Sequence, residues 1–215
     1  LVCDYIVGSG AEVRDPEQNV VLTYPMSMEL CRRVYRVIRE YPVSMVICTN
    51  GYDYRIGTTD EVEESILLEA MLFHMNLSRE EVKKTPVYLR MIERTKIIAD
   101  LAELEEKGVP VYKLFLFSED RAMLEEIRRR LEPDREIAAA SSFPTNLELT
   151  DVKAQKGPVL KAYIESLGYT MDEVMVLGDS LNDLSMISMD FGATVAMENG
   201  DQEVKRAAKY ITKTN

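Results

Sequence analysis

From Asp151 onward the chain repeats one rhythm, and no other feature restricts its fold as much. A helical pattern over Pro158–Leu167 places Val159, Leu160, Tyr163, Ile164 and Leu167 inward and stops at Gly168. A near-continuous apolar strand follows at Glu173–Leu177, then a short helix Asn182–Met189, a strand Ala193–Met197, a helix Gln202–Lys209 and a last strand Tyr210–Thr212. Apolar strands separated by helices are the pattern of parallel βαβ crossovers, whose sheet is covered on both faces. The spacing predicts half of a doubly wound α/β sheet, with its functional groups at the carboxyl ends of strands.

Upstream the same alternation is looser. Strands are expected over Asp4–Val7, Asn19–Thr23, Val43–Cys48, Val87–Ile92, Val111–Phe117, Glu136–Ala140 and Leu147–Thr150, with turns at Gly8-Ser9-Gly10 and Asn50-Gly51. Ser27 caps a helix whose inner face is Met26, Leu30, Val34, Val37 and Ile38, and Asp60 opens a longer one through Met71. A further helix is expected over Lys96–Lys107, ended by Gly108, and another from a cap at Ser118 or Asp120 to Leu131. Tyr52, Tyr54 and Arg55 read as a solvated hairpin. His74, the single histidine, has no Cys or carboxylate company and reads as structural.

The chemistry is concentrated in Gly178-Asp179-Ser180-Leu181-Asn182-Asp183, which leaves the apolar strand and enters a helix. Gly178 lets backbone approach a ligand, and Asp179 offers a hard carboxylate oxygen to a cation of the Mg²⁺ class. Asn182 and Asp183, one turn on, are placed to donate to a phosphate oxygen and to hold the loop or a metal-bound water. An acidic turn that merely caps a helix is the other reading of the same residues. Lys156-Gly157-Pro158 adds an ammonium at the start of the preceding helix, an anion site near the same sheet edge.

Composition narrows the partners. Lys and Arg total 26 against 37 Asp and Glu, a net charge of −11, and no basic run exceeds Arg128-Arg129-Arg130. Such a chain repels phosphate backbones and anionic membranes, so neither nucleic acid nor membrane is an expected partner. The apolar runs are too short to span a bilayer, and three cysteines, Cys3, Cys31 and Cys48, fit a reducing, cytoplasmic setting.

Taken in order, Leu147-Glu148-Leu149, Lys156-Gly157, Gly178 to Asp183, Val195 to Asn199 and Glu203-Val204-Lys205 resemble the haloacid dehalogenase (HAD) superfamily phosphatases, in the Cof-like branch with a large α/β cap. Tyr5 to Ala11 is similar to the family's strand and turn ahead of the cap, with Ser9 where Asn is usual. The resemblance implies an incomplete Rossmann-like core, 1–23 and 151–215, with an inserted cap over 24–150. It also implies that Lys156 and Asn182 bind the transferring phosphoryl group of a small phosphorylated metabolite. Asp179 would ligate Mg²⁺, Ser180 would contribute through the metal's outer or backbone shell, and Asp183 would support the loop.

That family's chemistry runs through an aspartyl-phosphate formed by an Asp-x-Asp-Gly-Thr strand, which this sequence lacks; Asp4 and Asp15 have the wrong neighbours. The motif is expected upstream of Leu1, and the family's final helix beyond Asn215. A sheet without its central strand is expected to expose Ile6, Val176 and Val195. The activity implied is Mg²⁺-dependent hydrolysis of sugar-phosphate-type monoesters. A catalytically inactive phosphate- or metal-binding module is the alternative. A phosphomutase or a P-type ATPase fragment shares the acidic loop but fits the cap position or the missing membrane segments less well.

Overall fold

The computed structural model describes residues 2–215; Leu1, the first residue of the expected 1–23 segment, lies outside the described residues. The chain runs through β1 (Tyr5–Val7), β2 (Glu12–Arg14), β3 (Val20–Thr23), α1 (Met28–Ile38), β4 (Ser44–Thr49), β5 (Asp53–Ile56), α2 (Thr59–Leu72), α3 (Arg79–Val82), α4 (Pro86–Arg94), β6 (Thr95–Ile98) and α5 (Ala102–Glu106). It continues through β7 (Val111–Phe117), α6 (Arg121–Leu131), β8 (Ile137–Ala140), β9 (Asn146–Asp151), α7 (Lys156–Ser166), β10 (Met175–Gly178), α8 (Leu184–Ile187), β11 (Ala193–Ala196), α9 (Gln202–Ala207) and β12 (Tyr210–Ile211).

Capping chemistry sets most helix starts. The Ser27 hydroxyl accepts from the Leu30 amide at 3.1 Å ahead of α1. Thr58 and Glu61 form a capping box ahead of α2, and Asp120 accepts from the Met123 amide at 3.0 Å ahead of α6. Each supplies an acceptor to amides that a helix start leaves unpaired. The apolar faces that follow, Leu30, Val34 and Ile38 of α1 and Leu124, Ile127 and Leu131 of α6, pack on Ile47, Leu114, Leu116, Leu147 and Leu149. Those residues line one face of a six-stranded sheet ordered β6-β5-β4-β7-β9-β8.

Two expected elements change type. Val87–Ile92 is the interior of α4 and not a strand. Thr85 caps it, Pro86 stands in the first turn where its missing N–H removes no helix bond, and Tyr88, Met91 and Ile92 pack with Val62, Ile66 and Ala70 of α2. The helix expected over Lys96–Lys107 divides, because Thr95–Ile98 pairs in parallel with β5 and only Ala102–Glu106 is helical. β-branched Thr95, Ile97 and Ile98 suit the strand. With β6 outside it, β5 becomes an interior strand, and the expected solvated hairpin is corrected: Tyr54 and Arg55 are buried, while Tyr52 stays exposed.

The first 23 residues hold an unexpected strand, β2, which pairs antiparallel with β1 on one side and β3 on the other. This meander packs Val13 against Val159 and Tyr163, both on α7. Ala11 packs with Tyr112 and Ala154, between the meander, the six-stranded sheet and the approach to α7.

The third sheet, β10-β11-β12, is parallel throughout, as its apolar strands imply. Its coverage differs from expectation. Crossovers of one hand that step in one direction leave their helices on one side. Val176, Thr194 and Ala196 lie on the side with α7, α8 and α9, at most 3% exposed, while Met175 and Leu177 are 61% and 49% exposed. Successive residues of a strand face opposite ways, so the open face carries Met175 and Leu177, not Val176. Ile6 and Val195 are half-buried.

Candidate active site

Gly178 ends β10 and sends Asp179 and Ser180 into the loop beyond it. A 3-10 turn over Leu181–Asp183 and the short α8 follow, where one helix Asn182–Met189 is expected. The turn folds Asp183 back onto the strand end, 6% exposed. Its Oδ2 accepts from the backbone N–H groups of Asp179 (3.0 Å) and Ser180 (3.2 Å). Gly178 is required for that return, since a Cβ there would lie 2.6 Å from the Asp183 Cβ.

Lys156, the first residue of α7, reaches the same carboxylate from across the sheet edge, its Nζ donating to Asp183 Oδ1 at 2.5 Å. The approach is set by Gly157, whose N–H donates to Ser185 Oγ at 3.3 Å. Burial alone would raise the Asp183 carboxyl, but the Lys156 hydrogen bond and the two loop amides hold it below the ordinary aspartate range. Both Asp183 oxygens are thus engaged by the protein. Asp183 fixes the lysine and the loop together.

Asn182 joins Lys156 and Ser185 on one wall of a cavity of about 310 Å³, whose other wall holds Ser9, Glu148 and Thr150. Asp179 and Ser180 border instead an adjoining cleft of about 630 Å³, shared with Asp201, Arg121 and Arg128. Leu181 borders both. The expected loop residues therefore fall on two sides of Leu181, Asn182 with Lys156 on one and Asp179 with Ser180 on the other.

Among the described residues no group of three or more His, Cys, Asp or Glu side chains is gathered to hold a metal. Mg²⁺ is bound by one or two carboxylates and completes its shell with water and phosphate oxygens. Asp179 supplies one such carboxylate at the loop.

The far wall of the cavity was not assigned from sequence. Glu148 Oε2 accepts from Ser9 Oγ (2.5 Å) and Lys113 Nζ (2.9 Å), and its Oε1 accepts from Ser142 Oγ (2.8 Å). Burial disfavours the charged carboxylate, yet the Lys113 charge and these hydrogen bonds hold Glu148 below the ordinary glutamate range. One sequence signal pointed there: Asn146, Glu148 and Thr150 alternate with Leu147 and Leu149, giving β9 one polar face. All three polar residues are buried, at 6%, 5% and 4% exposure.

Residues 1–215 match the family model described as haloacid dehalogenase-like hydrolase. The chain is 41% identical over 97 residues to a 5-amino-6-(5-phospho-D-ribitylamino)uracil phosphatase of Bacillus subtilis, covering 45% of this chain and 39% of that protein. It is 36% identical over 120 residues to a second Bacillus subtilis phosphatase, covering 55% and 42%. The matched stretches span about two fifths of the length of these curated relatives. In fold it is similar to a solved haloacid dehalogenase-like hydrolase from B. subtilis, with a TM-score of 0.78 and 24% identity over 99% of this chain and 75% of that one.

Proposed function

Because the chain belongs to the haloacid dehalogenase-like hydrolase family, we propose that it hydrolyses small phosphorylated metabolites, sugar-phosphate-type monoesters, with Mg²⁺. One observation carries this reading: the Lys156 ammonium stands at the first residue of a helix, tied through Asp183 to the acidic loop and opening with Asn182 into a cavity sized for a small ligand. Residues 24–150 act as the cap, and 1–23 with 151–215 as the core. The packing of the β1–β3 meander on α7, apart from the six-stranded sheet's own core, supports that division.

In this reading Lys156 and Asn182 bind the transferring phosphoryl group. The lysine offsets its charge as a point cation, and the α7 dipole adds partial positive charge at the same end of the helix, although the Gly157 N–H is taken by Ser185 Oγ and Pro158 has none to give. Asp183 orients Lys156 and keeps the Asp179–Ser180 amides turned inward; it is a positioning residue. Asp179 would hold Mg²⁺, with Ser180 beside it, and the ion when bound would offset charge on the phosphoryl oxygens. In this reading the nucleophile is an aspartate outside these 215 residues, acting through an aspartyl-phosphate, since the sequence holds no Asp-x-Asp-Gly-Thr strand. The ribityl phosphate ester named for the Bacillus subtilis relative supports a small, hydroxyl-bearing substrate.

The test is phosphate release from small phosphomonoesters by the full-length protein, with Mg²⁺ and with a chelator. Turnover should require the metal. Lys156→Met and Asp179→Asn should each lower kcat/KM by about 10²-fold or more; Asp179→Asn should leave the melting temperature near that of the wild type, whereas Lys156→Met should also lower it by stranding the buried Asp183 carboxylate. Unchanged turnover in either variant overturns that residue's role. Phosphate binding with no turnover under any condition replaces the enzyme by the inactive binding-module reading.

A further inference from the structure

We infer that Glu148 is the specificity-determining residue of this site, accepting hydrogen bonds from the hydroxyl groups of a polyol or sugar leaving group; this rests on the phosphatase reading above. The cavity has two chemically different walls. Lys156 and Asn182 stand on one, suited to an anion, and the buried carboxylate of Glu148 stands on the other. A carboxylate is an acceptor only, so that wall selects donors and rejects a second phosphate or carboxylate.

The Glu148 site is built, not incidental. Burying a carboxylate is costly unless it is paired and hydrogen-bonded. Here the charge is held by Lys113, whose side chain is 17% exposed, with Ser9 and Ser142 completing the set. Ser9 comes from the turn between β1 and β2 at φ 63, a left-handed conformation uncommon outside glycine, and Lys113 also donates to its hydroxyl at 3.2 Å. Three donors occupy three of roughly four lone-pair directions on the carboxylate, leaving one for a ligand. Space for that ligand comes from Ala138 and Ala140 on β8, which pair with Thr150 and Glu148 and line the same cavity with side chains no larger than methyl. Lys113, Ser9 and Ser142 are positioning residues that keep Glu148 ionised and aimed.

Binding of three probes to the full chain, followed by titration calorimetry, tests this: inorganic phosphate, erythritol 4-phosphate and n-butyl phosphate. The two esters share a four-carbon skeleton and differ in their hydroxyl groups. Wild type should prefer the erythritol ester by about tenfold or more, the discrimination available from a hydrogen bond to a charged group. Glu148→Gln should bring the two esters within about twofold of each other. Ala140→Leu, which fills the cavity beside Glu148 while keeping Glu148, Lys113, Ser9 and Ser142 themselves, should weaken the erythritol ester more than inorganic phosphate, and it carries the test if Glu148→Gln does not fold. No preference in wild type, or a preference that survives Glu148→Gln, overturns the inference and leaves the phosphatase reading standing. Inorganic phosphate binding that is absent, or indifferent to Lys156→Met, overturns both.

Discussion

Replacing Gly157 by alanine sets helix propensity against packing. In a helix interior Ala is about 1 kcal/mol more favourable than Gly, so propensity alone predicts a more stable α7. The tertiary contact predicts the reverse. A Cβ on Gly157 would lie 2.1 Å from the Ser185 carbonyl oxygen and 2.7 Å from the Met189 Sδ. Ordinary contact begins at 3.4 Å, so the α8 backbone must retreat by about 1.3 Å. Overpacking of this kind costs about 3 kcal/mol, at the upper end because backbone and not a side-chain tip must move. The net loss is about 2 kcal/mol, which for a chain of this size lowers Tm by about 4–8 °C. Scanning calorimetry on Gly157→Ala and wild type measures it directly. A Tm equal to or above wild type would refute the claim that backbone-to-backbone contact sets the place of Lys156.

Two further outcomes follow from the buried charges. The Asp183 carboxyl lies below its ordinary value of about 3.9, so its contribution to stability is complete above that pH and is lost as pH falls through the lower folded value. Melting curves between pH 6 and 2 should therefore show an acid-dependent loss that Asp183→Asn reduces; parallel curves for the two proteins would exclude the Lys156–Asp183 pair as its source. In the six-stranded sheet, Arg55 is buried with Nη1 donating to Ser44 Oγ (3.1 Å) and Ser65 Oγ (2.6 Å), Nη2 paired with Glu69, and Nε without a partner. Glu69→Leu alone should cost about 3–5 kcal/mol by stranding the guanidinium, whereas Arg55→Met with Glu69→Leu should cost less, as read by urea denaturation. A double variant less stable than the single one would show that Arg55, held by Ser44 and Ser65, stabilises the fold without Glu69, and would refute the claim that its charge is stranded.

The local features of this protein were legible in its residues because they are short-range. Ser27 and Asp120 act within three residues of themselves, and the apolar faces of α1 and α6 follow from a period of 3.6; the α2 start reads from the sequence at Asp60, two residues past its actual cap, Thr58. The strand, Gly178 turn and acidic loop were readable for the same reason, as was Lys156 at a helix start. Val87–Ile92 misled because an apolar run of that length suits strand or helix equally, and only its packing on α2 selects the helix. Thr95–Ile98 needed the edge of β5 to become a strand, and Arg55 needed β6 outside it to be buried.

A parallel βαβ half-sheet with a carboxylate-rich loop beside a lysine at a helix N-terminus follows from residue order alone. That Asp183, not Asp179, receives Lys156, that Leu181 divides the site into two clefts, and that Glu148 forms the opposite wall depend on how the elements pack. Glu148 lies 35 residues from Lys113 and 139 from Ser9 along the chain. No local propensity connects them. Strand register and the close packing of α7 on α8 bring such groups together, and those are properties of the assembled chain.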